Sequence, residues 1–337
     1  MTRLLQAMAG APHGGAETFF VRLAGALERA GQEQRVVIRR NPARAAQLRA
    51  AGVDVEEAAF GGRLDFATRR VLRRKVAAWR PDIVLSWMSR ATQFCPRGDF
   101  VHLARLGGYY DLKYYRHCDH LIGNTRGIVD YAVSQGWAPE RVHYLPNFVP
   151  DPGPRVRAPR EEGGVRALAL GRLHPNKAFD VLLDALALAP GIDLWIAGDG
   201  DLLGALRLQA GRLGLDRRVR FLGWQDDVWP LLDTADFLVC PSRLEPLGNV
   251  VIEAWAAGVP VVATTSDGPA SLIAVETDGL LVPIDDAPAL AAAMTRLAGD
   301  AVLRARLAEA GRQSYEAAFT EAAVVARYRD LFERVAR

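Results

Sequence analysis

Two acidic residues, Glu245 and Glu253, stand eight positions apart around the start of one predicted helix. The helix lies between two apolar strands. We place its start near Gly248 and its end before Gly258, because glycine commonly follows the last turn of a helix. Gly248 and Asn249 leave the first backbone N–H groups of the helix open to an anion. The pattern predicts a phosphate site with a carboxylate on either side, as a nucleotide-sugar would need.

Two cations five residues apart, Arg172 and Lys177, follow another predicted strand and precede another helix. The turn begins at Gly171, so both cations lie beside the positive end of that helix. A diphosphate leaving group gains negative charge as its bond to a sugar breaks. Fixed cations stabilise that charge more in the transition state than in the ground state. The alternative is a pair of solvated surface cations, but the position at the end of a strand favours the diphosphate.

The first turn of the chain carries Gly14 and Gly15 and opens a helix. Paired glycines let backbone N–H groups approach a ligand, although ordinary strand–helix turns use them too. We expect Glu17 to stabilise the start of its own helix by the dipole rule, with contact to an acceptor as the alternative. His13, beside the glycine pair, is the histidine that we would test on the acceptor side.

A predicted strand at 101–106 ends in a Gly-Gly-Tyr-Tyr-Asp turn, at the carboxyl end where α/β sheets place ligands. Arg105, Gly108 and Tyr109 are therefore candidates to face an acceptor. In the alternative interpretation the tyrosines are packing residues and Asp111 caps a helix. The six histidines show no metal-ligand spacing, so we predict no metal site.

The segment 61–80 carries seven basic residues against one acidic residue. Its apolar residues recur at helical spacing, which predicts one apolar face and one basic face. A solvated surface helix is the slightly favoured interpretation. The alternative is contact of residues 63–80 with anionic lipid head groups, where each cation gains about 1 kcal/mol. No known nucleic-acid-binding module accompanies the charges, so nucleic acid is not an expected partner.

Length and composition limit the possible classes. A chain of 337 residues that is 50% hydrophobic can bury large cores, and its length predicts two domains. It has no run of about 18 apolar residues, which argues against a membrane-spanning helix. Cys95, Cys118 and Cys240 are widely spaced and indicate neither a disulfide framework nor a zinc site, so we expect a cytoplasmic protein. Residues 1–150 carry 22 Lys/Arg against 13 Asp/Glu, whereas the rest carry 20 against 26. The two halves are thus expected to meet different partners.

Apolar runs of strand length alternate with helical stretches throughout, the pattern of parallel α/β sheets covered on both faces. A Pro- and Gly-rich stretch, 149–164, is the predicted linker. We therefore predict two doubly wound domains, 1–150 and 164–319, facing a cleft. The predicted strands are 3–8, 35–39, 53–58, 82–87, 101–106, 120–123 and 142–145 in the first half, and 166–170, 194–197, 219–222, 237–240, 259–263 and 279–282 in the second.

Two signatures together, Gly-Arg-x4-Lys at 171–177 and E-x7-E at 245–253, resemble the retaining glycosyltransferases of family four. The glycine pair at 14–15 agrees with them, and the resemblance covers nearly the whole chain. It implies the GT-B fold, in which two Rossmann-like doubly wound domains bind acceptor and donor respectively. It also implies that the last helix, 320–337, crosses back to the first domain.

The resemblance further implies a role for each matched residue. Arg172 and Lys177 would hold the donor diphosphate. Glu245 would lie near the hydroxyls of the transferred sugar, and Glu253 would bind the ribose. The glycines of the first turn would approach the phosphate, and the turn at 223–224 would flank the base. The remaining donor-side residues are Gly14, Gly15, Gly171, Gly223, Trp224, Leu247, Gly248, Asn249 and Val250.

Many members of this family carry a histidine after a mid-domain strand, whereas this chain has Arg105-Leu-Gly-Gly-Tyr there. That region resembles, less specifically, enzymes that add sugars to lipopolysaccharide cores or similar lipid-linked saccharides. The implied function is a retaining hexosyltransferase without a metal or other cofactor. It would move a sugar, from a UDP-sugar by expectation, to a hydroxyl of a lipid-linked or polysaccharide acceptor.

Two other classes stay open. A nucleotide-sugar 2-epimerase of the same fold would consume donor without an acceptor. A membrane-associated binding protein would bind nucleotide-sugar without releasing nucleotide in response to an acceptor. The basic segment motivates the membrane part, since it would place the protein at the inner face of the cytoplasmic membrane.

Overall fold

The computed structural model describes residues 2–12, 14–62, 64–153 and 164–336, and within these ranges the chain forms thirteen strands. All thirteen lie where the apolar runs predict them. One begins two residues later than predicted, because Pro260 has no N–H group to donate to a sheet. The strands are β1 (Leu4–Met8), β2 (Gln34–Arg39), β3 (Asp54–Ala58), β4 (Ile83–Trp87), β5 (Val101–Leu106), β6 (His120–Gly123), β7 (Val142–Tyr144), β8 (Val165–Leu170), β9 (Ile192–Ala197), β10 (Val219–Gly223), β11 (Phe237–Cys240), β12 (Val261–Thr264) and β13 (Leu280–Val282).

Helices alternate with these strands, as the doubly wound pattern requires. Short 3-10 turns lie at Leu112–Tyr115, Pro139–Arg141 and Pro175–Lys177. The α-helices are α1 (Gly15–Arg29), α2 (Pro42–Ala50), α3 (Phe66–Trp79), α4 (Met88–Phe94), α5 (Arg126–Ser134), α6 (Phe179–Leu188), α7 (Leu203–Arg212), α8 (Trp229–Thr234), α9 (Asn249–Ala256), α10 (Asp267–Leu272), α11 (Ala287–Gly299), α12 (Ala301–Ala318) and α13 (Glu321–Val335). No described helix combines the length and apolar character needed to span a bilayer.

The chain divides into two compact units, one of Met1–Phe148 with Glu321–Arg337 and one of Val149–Thr320. Each unit holds one sheet, and every strand pair in both sheets is parallel. The predicted fold class, two parallel α/β domains, is therefore confirmed. Of the predicted linker, residues 154–163 lie outside the described residues.

The sheet of the first unit has the order β3-β2-β1-β4-β5-β6-β7. Helix α13 packs on it, with Val324, Tyr328 and Phe332 buried in the same core as residues of α1. On another part of the sheet α3 buries Leu72 and turns its arginines outward, so its apolar and basic faces are confirmed. The first unit is thus closed by the C-terminal end of the chain.

The sheet of the second unit has the order β10-β9-β8-β11-β12-β13. Its first strand, β8, lies between β9 and β11, so the connections from β8 and β11 leave on opposite sides of the sheet. Doubly wound sheets bind ligands at this switch point, outside the carboxyl ends of the two strands. The turns after β8 and β11 contain the two sequence signatures, and strand order brings them together.

Candidate active site

The turn after β8 is built around Gly171. Its φ is +146°, a backbone conformation that side chains with a Cβ rarely adopt, and a Cβ there would lie 3.2 Å from Lys177 Cε. The glycine therefore permits the bend and leaves room for the lysine stem. In the same turn the Arg172 side chain is exposed and forms no ion pair with another described residue.

The loop after β11 carries Glu245 to the lysine. Lys177 Nζ donates to Glu245 Oε2, and Ser242 Oγ donates to the same oxygen at 3.4 Å. The side chains of the lysine and the glutamate are 22% and 12% exposed, so the pair is partly shielded and still reachable from solvent. Residues 68 positions apart in the chain thus form one charged pair at the switch point.

Three hydroxyl residues that were not predicted from the sequence, Ser242, Thr264 and Ser266, form a hydrogen-bonded group next to Glu245. Ser242 is 1% exposed, and its carbonyl accepts a hydrogen bond from Thr264 Oγ1 at 2.5 Å. Thr264 Oγ1 lies 3.2 Å from Ser266 Oγ. Burial raises the pKa of the neighbouring Cys240 thiol to about 11, and the Glu245 carboxylate acts in the same direction. This cysteine is therefore a packing residue, and the position of the hydroxyls at strand ends was the signal that could have found them.

Helix α9 begins and ends where predicted. Gly248 precedes it with φ +79°, and Gly258 follows it with φ +64°, so both glycines occupy left-handed positions. Gly268 backs the loop before the helix, since its N–H donates to the Glu245 carbonyl at 2.7 Å and a Cβ there would lie 2.5 Å from the Leu247 carbonyl carbon. Asn249, Val250 and Glu253 are half-buried on α9. The N-terminus of α9 thus follows the Glu245 loop directly.

Glycines also allow the backbones at the carboxyl ends of β8, β9 and β10 to lie in close contact. Gly198 N–H donates to the Gly223 carbonyl at 2.8 Å, and a Cβ on Gly198 would lie only 1.8 Å from the Gly171 carbonyl oxygen. Gly198 was not predicted as a site residue, although it follows a predicted strand. Trp224 comes next along the chain, 68% exposed, with its indole N–H donating to Asp226 at 2.9 Å. An open aromatic face therefore stands at this edge.

In the first unit, the glycine turn encloses a carboxylate. Glu17 is buried, and its Oε1 accepts from Ala11 N–H at 2.7 Å. A Cβ on Gly14 would lie 2.3 Å from Glu17 Oε2, whereas a Cβ on Gly15 would have no atom within 4 Å. Gly14 therefore makes room for Glu17, and the open position is Gly15. His13 lies outside the described residues.

Arg44 holds the other side of this turn. Its guanidinium donates to the Ala11 carbonyl at 2.7 Å and to the Pro12 carbonyl at 3.1 Å. Burial lowers the pKa of Arg44, while the Glu17 carboxylate acts in the opposite direction. The Glu17 carboxylate is therefore held within its own turn in this structure, and the alternative, its contact with an acceptor, stays a prediction.

The prediction that Arg105 faces an acceptor is contradicted by its burial. The side chain is 2% exposed, and its guanidinium lies 4.7 Å from the ring centroids of both Phe19 and Trp87. Its Nε donates to Tyr328 Oη at 2.9 Å, and an Nη donates to Asn147 Oδ1 at 2.5 Å. Helix α13 supplies the tyrosine, so the first half of the sequence alone could not show that this arginine is enclosed.

The turn after β5 divides between packing and exposure. Tyr109 is 44% exposed, and its ring meets the Tyr131 ring edge-on at 5.4 Å; Gly108 beside it is half-buried. Burial raises the pKa of Tyr110, the Glu17 carboxylate raises it further, and Arg105 opposes both. Asp111 caps the following 3-10 turn by accepting from Lys113 N–H, so the capping alternative is confirmed for this residue.

The described histidines of the first unit are paired with other side chains. His102 is buried in β5, where its Nε2 lies 2.9 Å from Ser86 Oγ, and burial lowers its pKa to about 4. His143 Nε2 lies 3.0 Å from His120 Nδ1. Among the described residues, no three His, Cys, Asp or Glu side chains are arranged to hold a metal ion.

Solved structures define the class of this architecture. The structure of HepE from Anabaena in complex with UDP aligns with 99% of this chain and 100% of its own, with a TM-score of 0.84 at 20% identity. The lipopolysaccharide outer core galactosyltransferase WaaB aligns over 99% and 100%, with a TM-score of 0.81 at 18% identity. The chain has the GT-B glycosyltransferase fold.

Sequence comparison then gives the family. The model described as Glycosyltransferase Family 4 matches residues 13–151, and the model described as Glycosyl transferases group 1 matches residues 164–300. Two lipopolysaccharide core biosynthesis glycosyltransferases of Rhizobium meliloti are similar over almost their full length. LpsE is 36% identical over 94% of this chain and 95% of its own, and LpsD is 34% identical over 95% of each. The chain belongs to the family-four glycosyltransferases.

Proposed function

We propose that this protein is a retaining glycosyltransferase that moves a sugar from a nucleoside diphosphate sugar, with UDP-sugar expected, to a hydroxyl of a lipid-linked or polysaccharide acceptor such as lipopolysaccharide core. The observation that carries the proposal is the Lys177–Glu245 pair, partly open to solvent, at the switch point of the second sheet. The names of LpsE and LpsD support the acceptor class, and the UDP held by HepE supports the donor class.

The leaving group explains the cations. As the bond between the sugar C1 and the phosphate oxygen breaks, its electron pair stays on that oxygen. Lys177 and Arg172 stand in the turn where this negative charge would develop, and each stabilises it more as the bond lengthens. The N–H groups at the start of α9 add partial positive charge. Cations of the protein thus do the work that a divalent metal does elsewhere, and we propose that no metal is required.

The anomeric configuration is retained because the acceptor attacks C1 on the same face from which the leaving group departs. The acceptor oxygen forms its bond to C1 on that face, and its proton passes to the departing phosphate oxygen, so no protein base is consumed. Glu245 orients the hydroxyls of the transferred sugar and keeps Lys177 in place, and Glu253 takes the ribose. Arg105 is enclosed in apolar and aromatic side chains and has no part in this step.

Donor screening and product analysis test the proposal together. We expect UDP to raise the melting temperature more than GDP or ADP does. A ligand at a hundredfold excess over its Kd stabilises the folded protein by about 2.7 kcal/mol, so such a shift is easily measured. With UDP-sugar, nucleotide release should require an acceptor, and the product should keep the anomeric configuration of the donor. Release with epimerised sugar and no acceptor would establish the epimerase instead. Binding of UDP-sugar with no turnover on any lipopolysaccharide-core acceptor would support a binding protein.

We also propose that α3 places the enzyme on anionic lipid at the inner face of the cytoplasmic membrane. Arg69, Arg70, Arg73 and Arg74 line a surface groove of about 660 Å³ together with Phe66, which is 69% exposed. Arg74 is already paired with Glu56 of β3 at 2.5 Å, so the remaining arginines carry the expected attraction. Cations gain about 1 kcal/mol each near such a surface, and an exposed aromatic ring can enter the head-group region.

Vesicle flotation tests this placement. Arg70→Ala with Arg73→Ala should reduce flotation with phosphatidylglycerol vesicles and leave the low binding to pure phosphatidylcholine unchanged. Arg212→Ala with Arg217→Ala removes the same charge from exposed positions of the second unit and serves as the matched control. Equal flotation of the wild-type protein with both lipid compositions would rule the placement out.

A further inference from the structure

Arg243, two residues before Glu245, joins three separate segments of the second unit with one side chain. Its two Nη atoms donate to the two carboxylate oxygens of Asp180 at 2.7 and 3.0 Å. One Nη also donates to the Pro175 carbonyl at 2.9 Å, and Nε donates to Asp285 Oδ1 at 2.6 Å. The arginine therefore connects the loop after β11 to the turn after β8, to the start of α6 and to the segment after β13.

The backbone repeats this connection. The Asn176 carbonyl accepts from the N–H groups of Arg243 and Leu244, at 2.8 and 3.2 Å. Asn176 is the residue before Lys177, and Leu244 is the residue before Glu245. The two loops are thus joined directly beside the two residues of the charged pair.

Such contacts contribute little to the stability of the fold. The Arg243 side chain is 31% exposed, and its partners Asp180 and Asp285 are 44% and 51% exposed. Ion pairs in such settings are weak because water competes for both charges and salt screens them. Their geometry is nevertheless specific, since the planar guanidinium meets a carboxylate with two parallel hydrogen bonds. The arrangement orients two loops more than it stabilises the unit.

We propose that Arg243 is a positioning residue, which holds the Lys177 turn and the Glu245 loop in register so that the ammonium group stays directed at the leaving phosphate. The proposal rests on the proposed glycosyl transfer and adds to it a group that does not touch substrate. A lysine on its flexible stem has many orientations, and small displacements of a charged group lower its effect on a transition state steeply.

A double-mutant cycle tests this role. Arg243→Ala should lower kcat about 10-fold or more and change the donor KM much less, because positioning acts mainly in the transition state. In the background of Lys177→Ala the same change should have almost no further effect, since a residue that acts through the lysine has nothing left to position. Arg243→Lys should recover part of the activity, as one ammonium can meet one carboxylate but cannot form the fork.

A second arginine of the same unit provides the matched control. Arg296 also binds one carboxylate with two hydrogen bonds, to Glu276 at 2.5 and 2.8 Å, on the surface between α11 and the loop before β13. Arg296→Ala should leave kcat unchanged. Both variants should lower the melting temperature by no more than about 3 °C, as expected for exposed pairs. If Arg243→Ala does not fold, Asp285→Asn removes one anchoring carboxylate, and a lowered kcat at unchanged KM is expected.

The outcomes separate this role from the function on which it rests. A wild-type protein that neither binds UDP, GDP or ADP in calorimetry nor transfers sugar would overturn the proposed function, and the positioning role with it. An active wild-type enzyme whose Arg243→Ala variant keeps full kcat would overturn the positioning role alone. Additive losses in the cycle would do the same, because they would show that the arginine acts independently of Lys177.

Discussion

The first strand of each unit runs into a glycine turn and then a helix, yet the two turns use their charged residues differently. In the first unit the Glu17 carboxylate folds back into its own turn and is buried there. In the second unit Lys177 reaches out of its turn to Glu245, and the pair keeps contact with solvent. The same local pattern therefore produces a closed structural loop in one unit and a reachable charged pair in the other.

Neighbouring elements explain the difference. In the first unit, helix α2 contributes Arg44, whose guanidinium donates hydrogen bonds to backbone carbonyls of the glycine turn. Beside β8, strand β11 contributes a loop with a carboxylate of its own. The comparison teaches that a glycine turn after a strand predicts a close approach of the backbone, but not whether a ligand or a side chain of the same chain fills the space.

The largest effect is expected where the charged pair is broken. Lys177→Ala should lower turnover by about 100-fold or more, because it removes one of the two positive charges that are proposed to stabilise the leaving diphosphate. The unfolding free energy should change by only about 1 kcal/mol, since the pair is partly solvated. Steady-state kinetics and urea unfolding measure the two quantities. Lys113→Ala, which breaks an exposed pair with Asp111 in the first unit, is the control that should keep full turnover. Full activity of the Lys177 variant would refute the assigned role.

In the first unit, replacing the buried Arg105 should lower the stability of the fold. Arg105→Met would remove the hydrogen bonds that the guanidinium donates to Asn147 Oδ1 and to Tyr328 Oη, so we expect the unfolding free energy to fall by about 3 kcal/mol. Tyr328→Phe removes one of these bonds and should cost about 1 kcal/mol. Denaturant titration of both variants measures the difference. An Arg105→Met protein as stable as the wild type would mean that the buried guanidinium is not a structural centre.

Acid should destabilise the first unit through its buried His102 and half-buried His143. Burial lowers the pKa of His102 to about 4, with Asp119 opposing and His117 adding to the shift, and His143 is lowered to about 4 as well. A histidine in the unfolded chain has a pKa of about 6.5 and binds a proton below that pH, whereas the same histidine in the folded chain stays neutral down to about pH 4. The unfolded state therefore binds more protons in this range, and the stability present above pH 6.5 is lost as the pH falls towards 4. Unfolding at pH 7 and pH 4.5 should show this loss, and His102→Gln should reduce it. An unchanged pH dependence in that variant would contradict the assignment.

The smallest effects concern the glycine pair, and they should have opposite signs. Gly14→Ala displaces the Glu17 carboxylate from Ala11 N–H and should destabilise by about 1 kcal/mol. Gly15→Ala adds a methyl group in open space at the first position of α1 and should stabilise by about 0.5 kcal/mol. Thermal unfolding of the two variants side by side measures both. Equal shifts would show that the Glu17 carboxylate does not define this turn.

Most of the fold could be predicted because its determinants are local. Parallel strands covered on both faces appear as short apolar runs, and every predicted strand is present. The helix between Gly248 and Gly258 was also predictable, since glycine at left-handed positions marks its two ends. The boundary at Pro260 was missed by two residues, because periodicity does not show which N–H group a sheet requires.

The sequence alone established the strand–helix alternation, the glycines at its turns, and the two signatures whose spacing indicates a sugar-nucleotide chemistry. Only the tertiary structure showed that Lys177 meets Glu245, that Arg243 connects their loops, and that Arg105 is enclosed by a helix from the far end of the chain. The physical reason is that periodicity and turn residues act over a few positions, whereas these contacts join residues 68, 68 and 223 positions apart. The order of the strands in each sheet brings such residues together, and local sequence patterns do not show that order.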